Sequence, residues 1–327
     1  MLSVIIPTHN PQPERLRRTL AGLRAQTLPV SEWELVLVDN ASADAAAFAR
    51  LDLGWQGRAR VVREEQLGLT AARLRGFAES RGQLLVLVDD DNVLDPGYLA
   101  AVVRHFAVDA ELGAIGGRSH PEFEAPPPPW TREFDGVLAL RDPGATPQRA
   151  AWSDSQPRGY PVCAPIGAGL ALRRSGAEAY AAALANDSRR RSFDRTGAQL
   201  ISGGDNDLIM TILAGGQAVA YFPDLQLTHL IPPRRSERSY LGALNRAIAR
   251  SWVRVLALHG IRPWRPVPRS TVGLRCLRSW FRLRAWQGPA QWVRWQGACG
   301  HFEGLGDLHH EPATRPDLPG PNGRTPI

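Results

Sequence analysis

The chain predicts an α/β fold: a mostly parallel central sheet flanked by helices, followed by a helical C-terminal extension. Three observations carry this reading. Four strand-helix units follow one another at roughly 25–30-residue spacing, as βαβ units do. The run Leu84-Leu85-Val86-Leu87-Val88 is continuously apolar, the pattern of a strand buried on both faces. Asp89-Asp90-Asp91 follows it directly, and ligands of open α/β sheets bind at that end of the strands.

Leu2–Ile6 reads as the first strand and Pro7-Thr8-His9-Asn10 as its turn. Glu14–Gln26 is the first helix, with Leu16, Leu20 and Leu23 on one face. Leu35–Val38 is the second strand, ending at Asp39, and an Ala-rich helix starts near Asp44. Arg60–Arg63 is a short third strand, and Gly68–Ser80 is the helix before Leu84–Val88. Asp95 and Pro96 suit the N-cap and first position of the next helix. Gly113–Gly117 is a further strand. Pro121–Gly159 holds four prolines in a row and reads as a long irregular insert, a kind of loop that is commonly functional. Patterning returns at Val162–Leu172, with helices over Ser175–Ala185 and Asp205–Ala214 and a strand over Ala218–Phe222. A long helix covers Ser236–His259. From about Gly304 the chain is rich in Gly and Pro, and disorder is expected. These boundaries give a first domain over 1–235, divided near residue 118, an extension over 236–303 and a tail over 304–327.

At 327 residues and 43% hydrophobic content the chain supports a substantial core, which excludes a fibrous or disordered composition. Cys163, Cys276 and Cys299 are too few and too scattered for a disulfide framework or a metal-ligand spacing, so a reducing compartment is expected. The chain enters a strand without a basic and apolar leader, and no secretory signal is expected. No apolar run approaches the ~18 residues of a membrane-spanning helix. The formal charge of +7 is uneven. Arg238 to Phe302 holds twelve arginines and no Asp or Glu, and the remainder nets −5, with 27 Arg against 32 acidic residues. Six of the ten tryptophans fall in that same window. Such a block suits packing on the domain or docking on an anionic membrane surface. The sequence leaves both open.

The chemistry concentrates at a few places. Adjacent carboxylates raise one another's pKa unless a cation answers them, and a divalent cation carrying phosphate oxygens is the natural partner. Asp39 ends the second strand at the same sheet edge and suits a nucleobase or ribose, against a plain turn or N-cap role. Gly203-Gly204-Asp205-Asn206-Asp207 opens a helix. Its aspartates could simply complement the helix dipole. Beside a glycine turn and near a metal cluster, though, Asp205 is a candidate general base, with Asp207 in reserve. His229 follows a strand-like run and alone would be structural. Arg73 lies in the helix after Gly68, and an Arg near a diphosphate clamps its oxygens. Gly167-Ala168-Gly169 lacks the third glycine and the following helix of a dinucleotide loop.

Together these segments resemble the family 2 glycosyltransferases, whose GT-A fold is Rossmann-like. Val4–Asn10 looks like the opening strand that usually ends Pro-Thr-Tyr-Asn, and Val38–Asp44 like the nucleobase-binding turn. Gly68–Gly76 is similar to the Gly…Ala-Arg-Asn-x-Gly helix, with Leu74 where Asn is usual. Asp89–Asn92 matches the metal-binding Asp-x-Asp. Gly203–Leu208 looks like the Gly-Glu-Asp turn, with Gly204 in place of Glu. Pro223-Asp224 and His229 match the late Pro-Asp and His.

The resemblance implies inverting transfer of a sugar from a nucleotide-diphosphate donor to a hydroxyl of a glycan or lipid-linked acceptor, in surface polysaccharide or glycoconjugate synthesis. It implies Asp205 as base, with Asp91 and His229 holding Mn²⁺ or Mg²⁺. Pro7, Thr8, Asn10, Asp39, Arg73, Asp89 and Asp90 would surround the nucleotide, Asp39 at the base and Asp90 at the ribose. A cytoplasmic location, peripheral on the inner face of the membrane, follows from the same resemblance and the basic block. A nucleotidyltransferase shares the sheet and the metal logic. It needs a glycine-rich basic loop after the first strand, and Pro7–Pro13 has no glycine. A non-catalytic binding module would lack the acidic set, and an acidic first domain argues against a nucleic-acid binder.

Overall fold

The computed structural model describes residues 1–153, 155–194 and 200–309. Its first half is the parallel sheet expected: β1 (Leu2–Thr8), β2 (Trp33–Asn40), β3 (Ala59–Glu64) and β4 (Leu84–Leu87), in the order β3-β2-β1-β4. The crossovers carry α1 (Pro13–Arg24), α2 (Ala46–Ala49) and α3 (Leu69–Glu79). The Ala-rich helix is thus a single turn. Side chains alternate between two layers. Leu2, Val4 and Ile6 join Leu35 and Leu37 under α1, while Ile5, Val36 and Val38 join Ala72 and Phe77 of α3. Burial on both faces is why these strands read as unbroken apolar runs.

After β4 the chain turns tightly, with the Asn92 N–H donating to the Asp89 carbonyl at 3.0 Å. It enters a short strand that the sequence pattern hides, β5 (Asn92–Leu94). The next helix, α4 (Tyr98–Val108), starts two residues later than expected. Asp95 does not cap it with its side chain; its carbonyl accepts from the Tyr98 N–H in a turn, and Gly97 precedes the helix.

The remaining strands are β6 (Leu112–Phe123), β7 (Gln148–Ala150), β8 (Ala171–Arg173) and β9 (Ala218–Ile231), with helices α5 (Arg174–Asn186) and α6 (Gly204–Ala214). Here pairing is mixed. The order β4-β8-β6-β9-β5 places β8 antiparallel to β4 and β6, keeps β6 and β9 parallel, and adds β7 and β5 antiparallel to β9. Two expectations shift. The Pro121–Gly159 insert is more ordered than its prolines suggest: its first residues finish β6, Pro129–Leu138 forms 3-10 turns and β7 joins the sheet. β9 runs on through Pro223 to Ile231, because that proline falls in a register shift between Tyr221 and Gln226, where a missing N–H breaks no ladder bond.

The C-terminal helices are α7 (Arg238–Leu258), α8 (Val272–Arg282) and α9 (Pro289–Leu308). α7 and α9 lie backbone to backbone. A Cβ at Gly300 would overlap the Arg246 carbonyl, and one at Gly304 would come within 2.9 Å of the Arg250 carbonyl. Trp280 of α8 packs edge-on against Trp295 of α9 at 4.8 Å, and the Trp295 indole N–H donates to the Cys276 carbonyl. Cys276 and Cys299 meet at this seam as free thiols, and burial together with that contact pushes Cys299 up to about 12. α9 makes residues 304–308 helical rather than disordered, while 310–327 lie outside the described residues. No helix among the described residues is long and apolar enough to cross a membrane.

Candidate active site

One cleft of about 670 Å³ opens at the carboxyl ends of β1 and β4. Pro7, Thr8, Asp89, Asp90 and Asp91 form its floor, Arg73 and Asp205 one side, and His229, Arg234 and Arg235 another. The sheet register explains the assembly. β5 pairs with β9 so that Asn92 stands opposite His229, and the Leu230 N–H donates to the Asp91 carbonyl at 2.9 Å. Residues 138 positions apart thereby meet at one point: His229 Nε2 lies 3.5 Å from Asp91 Oδ2.

The carboxylate cluster is strained electrostatically. Burial and the neighbouring Asp91 push Asp89 above the usual carboxylate range. The same two causes, in the same order, push Asp90 up to about 7, against a stabilising hydrogen bond from the Thr8 hydroxyl. Arg235 supplies a positive charge 3.0 Å from Asp91 Oδ2 and donates to His229 Nε2 at 2.9 Å. No sequence pattern assigns Arg235 a role, because a basic pair after a Pro-Pro step carries no signal of its own. His229 Nδ1 is buried without a hydrogen-bond partner. The Asp91 carboxylate and the His229 imidazole stand 3.5 Å apart, a spacing that two ligands of one divalent cation can have, and in this structure the Arg235 guanidinium is bonded to both. No third His, Cys, Asp or Glu completes a metal cluster among the described residues. Mg²⁺-type sites take only one or two carboxylates and complete the shell with water and substrate phosphates, so two protein donors suffice.

Asp205 sits in the first turn of α6, partly open to the cleft. Its Oδ1 is 2.5 Å from Arg73 Nη1. A Cβ at Gly167 would overlap the Asp205 carboxylate, so the glycine of the rejected dinucleotide loop lets that backbone lie against Asp205. Arg73 is fully buried. Burial opposes its charge, but Asp205, Asp194 and Asp89 outweigh it and hold Arg73 above its ordinary range. Asp207, the reserve base, is 0% exposed and faces away from the cleft. It pairs with His259 at 2.7 Å and Arg190 at 3.3 Å.

Asp39 and Asn10 are beside the cleft and not among its lining residues. Asp39 Oδ1 accepts from the Ser42 N–H at 3.0 Å, and Oδ2 pairs with Arg63 at 2.5 Å. Asn10 ties the same turn, accepting from the Ala43 N–H and donating its own N–H to Ser42 Oγ. The sequence also missed a whole wall. Tyr240, Leu244, Ile248 and Trp252, spaced by four on α7, line the cleft as one helical stripe. Their spacing was visible, but nothing in it pointed toward a site 150 residues upstream.

Residues 3–171, just over half of the chain, match the sequence model of "Glycosyl transferase family 2". The chain belongs to that family. Among curated relatives of this family 2 member, the putative glycosyltransferase EpsH of Bacillus subtilis is 28% identical over 116 residues, 34% of this chain and 32% of its own. The undecaprenyl-phosphate 4-deoxy-4-formamido-L-arabinose transferase of Pseudomonas fluorescens is 30% identical over 119 residues, 35% of this chain and 34% of its own. The chain thus spans about a third of the length of these two relatives. Among solved structures, S. aureus TarS (residues 1–349) aligns over 94% of this chain and 90% of its own at 12% identity, with a TM-score of 0.49.

Proposed function

We propose that the protein transfers a sugar from a nucleotide-diphosphate donor to an acceptor hydroxyl, with inversion at the anomeric carbon. The observation that carries this reading is the arrangement of one cleft: a carboxylate cluster with His229 and Arg235 on one side, and a single partly exposed carboxylate, Asp205, on another. An in-line displacement needs those two parts. Asp205 takes the acceptor proton as the new C–O bond forms and the bond from the anomeric carbon to the diphosphate oxygen breaks. Asp91 and His229 would hold Mn²⁺ or Mg²⁺, which when bound supplies Lewis-acid neutralisation of charge growing on the leaving diphosphate. Arg235 adds a fixed positive charge at the same place. Asp90 with Thr8 serves the ribose, Asp89 backs the cluster, and Pro7 forms the adjoining floor. Asp39, with Asn10 shaping its turn, serves the nucleobase from the end of β2. Arg73 acts on Asp205.

The acceptor we propose is a glycan or a lipid-linked sugar, in the making of a surface polysaccharide or glycoconjugate. The Pseudomonas relative's name puts undecaprenyl phosphate in its reaction. The outer face of α8 supports a membrane contact on the cytoplasmic side. Trp280, Trp292 and Trp295 are used in packing, but Leu274, Leu277, Phe281 and Trp286 remain more than half exposed beside the exposed Arg278, Arg282 and Arg284. Bulky apolar side chains among cations are what an anionic interface takes up.

The test is a donor panel of UDP-, GDP- and dTDP-hexoses, following nucleotide release with Mn²⁺, Mg²⁺ or chelator. Turnover of at least one donor, lost with chelator, is expected. No release from any donor in Mn²⁺ would overturn the reading.

A further inference from the structure

We infer that Asp194 is a positioning residue: acting through Arg73, it holds Asp205 in place, and its carboxylate stands where a side chain on residue 204 would stand. The inference rests on Asp205 being the base.

Asp194 follows a 3-10 segment (Ser188–Phe193) and is buried. Thr70 of α3 donates to its Oδ2 at 2.9 Å. Arg73 Nη1 lies 3.3 Å from that same oxygen and 2.5 Å from Asp205 Oδ1, so one guanidinium nitrogen joins the two carboxylates. The Gly204 backbone also donates to Asp194. A Cβ on Gly204 would overlap the Asp194 carboxylate. Two positions ten residues apart therefore compete for one volume, and here the carboxylate comes from 194.

Burying a carboxylate is costly unless it is paired, and this one shares its cation with a second. Burial pushes Asp194 up, Arg73 pulls it down and Asp205 pushes it up again. A role limited to anchoring the segment would be met by a neutral amide. What the charge adds is a second hold on Arg73. With Asp194 ionised, Arg73 is held between two carboxylates; without it, the guanidinium loses one of the two charged anchors that fix it beside Asp205. Among the described residues, the charged and titratable groups that interact with Asp205 include Arg73, Asp89, Asp194, Tyr160 and Tyr180.

The test relocates the carboxylate, using the sugar nucleotide with the highest wild-type turnover in the panel. Asp194→Asn keeps the shape and the bond from Thr70. It is expected to lower kcat on the order of 10²-fold with donor KM little changed. Asp194→Gly alone, and Gly204→Glu alone, which collides with Asp194, are expected to be impaired as well. Asp194→Gly combined with Gly204→Glu is expected to recover most of the lost kcat. Thermal melts of every variant separate folding losses from turnover losses. Wild-type kcat in Asp194→Asn, or a double variant no better than the product of its two singles, would overturn the inference while leaving Asp205 as base. Full turnover in a parallel Asp205→Asn would overturn both.

Discussion

Asp205 and Asp207 are two residues apart and have opposite surroundings. At about 100° per residue they point about 200° apart around α6. One faces the cleft beside Arg73, and the other is sealed against His259 and Arg190. The motif alone could not rank them, because both lie in the first turn of the same helix. Asp89–Asp91 stood out because three like charges behind a buried strand are unusual, whereas Asp205 was singled out by its glycine turn and His229 only through the family resemblance. Asp194 and Arg235 were not, since their ion pairs with Arg73 and Asp91 join residues more than 100 positions apart. Breaking one side of a buried pair costs about 3–5 kcal/mol. Asp207→Ala is therefore expected to lower stability by about 3 kcal/mol, measured by denaturant unfolding, while the folded fraction keeps its kcat. Unchanged stability with lost turnover would move Asp207 into the chemistry.

Elements were legible where their periodicity was local. β1, β2 and β4 announce themselves as largely apolar runs at βαβ spacing, β3 only as two valines between arginines, and α1, α5, α6 and α7 appear within a few residues of their expected spans. β5 has three residues and no pattern of its own; it exists because β9 offers it a partner. β9 was cut short at a proline that its register shift absorbs. α8 is the instructive case, since its apolar arc is wider than α9 covers. Trp280 and Cys276 turn toward α9, whereas Leu274, Leu277 and Phe281, at helical spacing, are 56%, 54% and 62% exposed. Sedimentation with phosphatidylglycerol vesicles is expected to carry the protein down at low salt. Phosphatidylcholine vesicles or high salt should leave it in solution, and Leu277→Ser with Phe281→Ser should weaken the binding about tenfold or more, each side chain being worth roughly 1.5–3 kcal/mol of burial. Equal, negligible binding to both lipids would restrict the C-terminal block to packing.

At the scale of the whole molecule, two parts of opposite charge share one cleft. The carboxylate-free stretch from Arg238 to Phe302 carries twelve arginines, and the rest of the chain nets −5. α7 belongs to the basic part, yet Tyr240, Leu244, Ile248 and Trp252 form a wall of the cleft whose floor is Asp89–Asp91. The composition shift was legible; the shared wall was not, because it depends on how α7 is laid across the sheet. The extension therefore contributes to the site as well as to the surface. The central claim concerns the two sides of that cleft, a donor side built on Asp91 and His229 and an acceptor side built on Asp205. Asp205→Asn separates them most directly, with turnover at saturating donor and nucleotide affinity measured on the same preparation. The account expects kcat to fall on the order of 10²–10⁴-fold with nucleotide Kd unchanged within about twofold. Retained turnover, or turnover surviving at saturation while nucleotide affinity collapses, would contradict it.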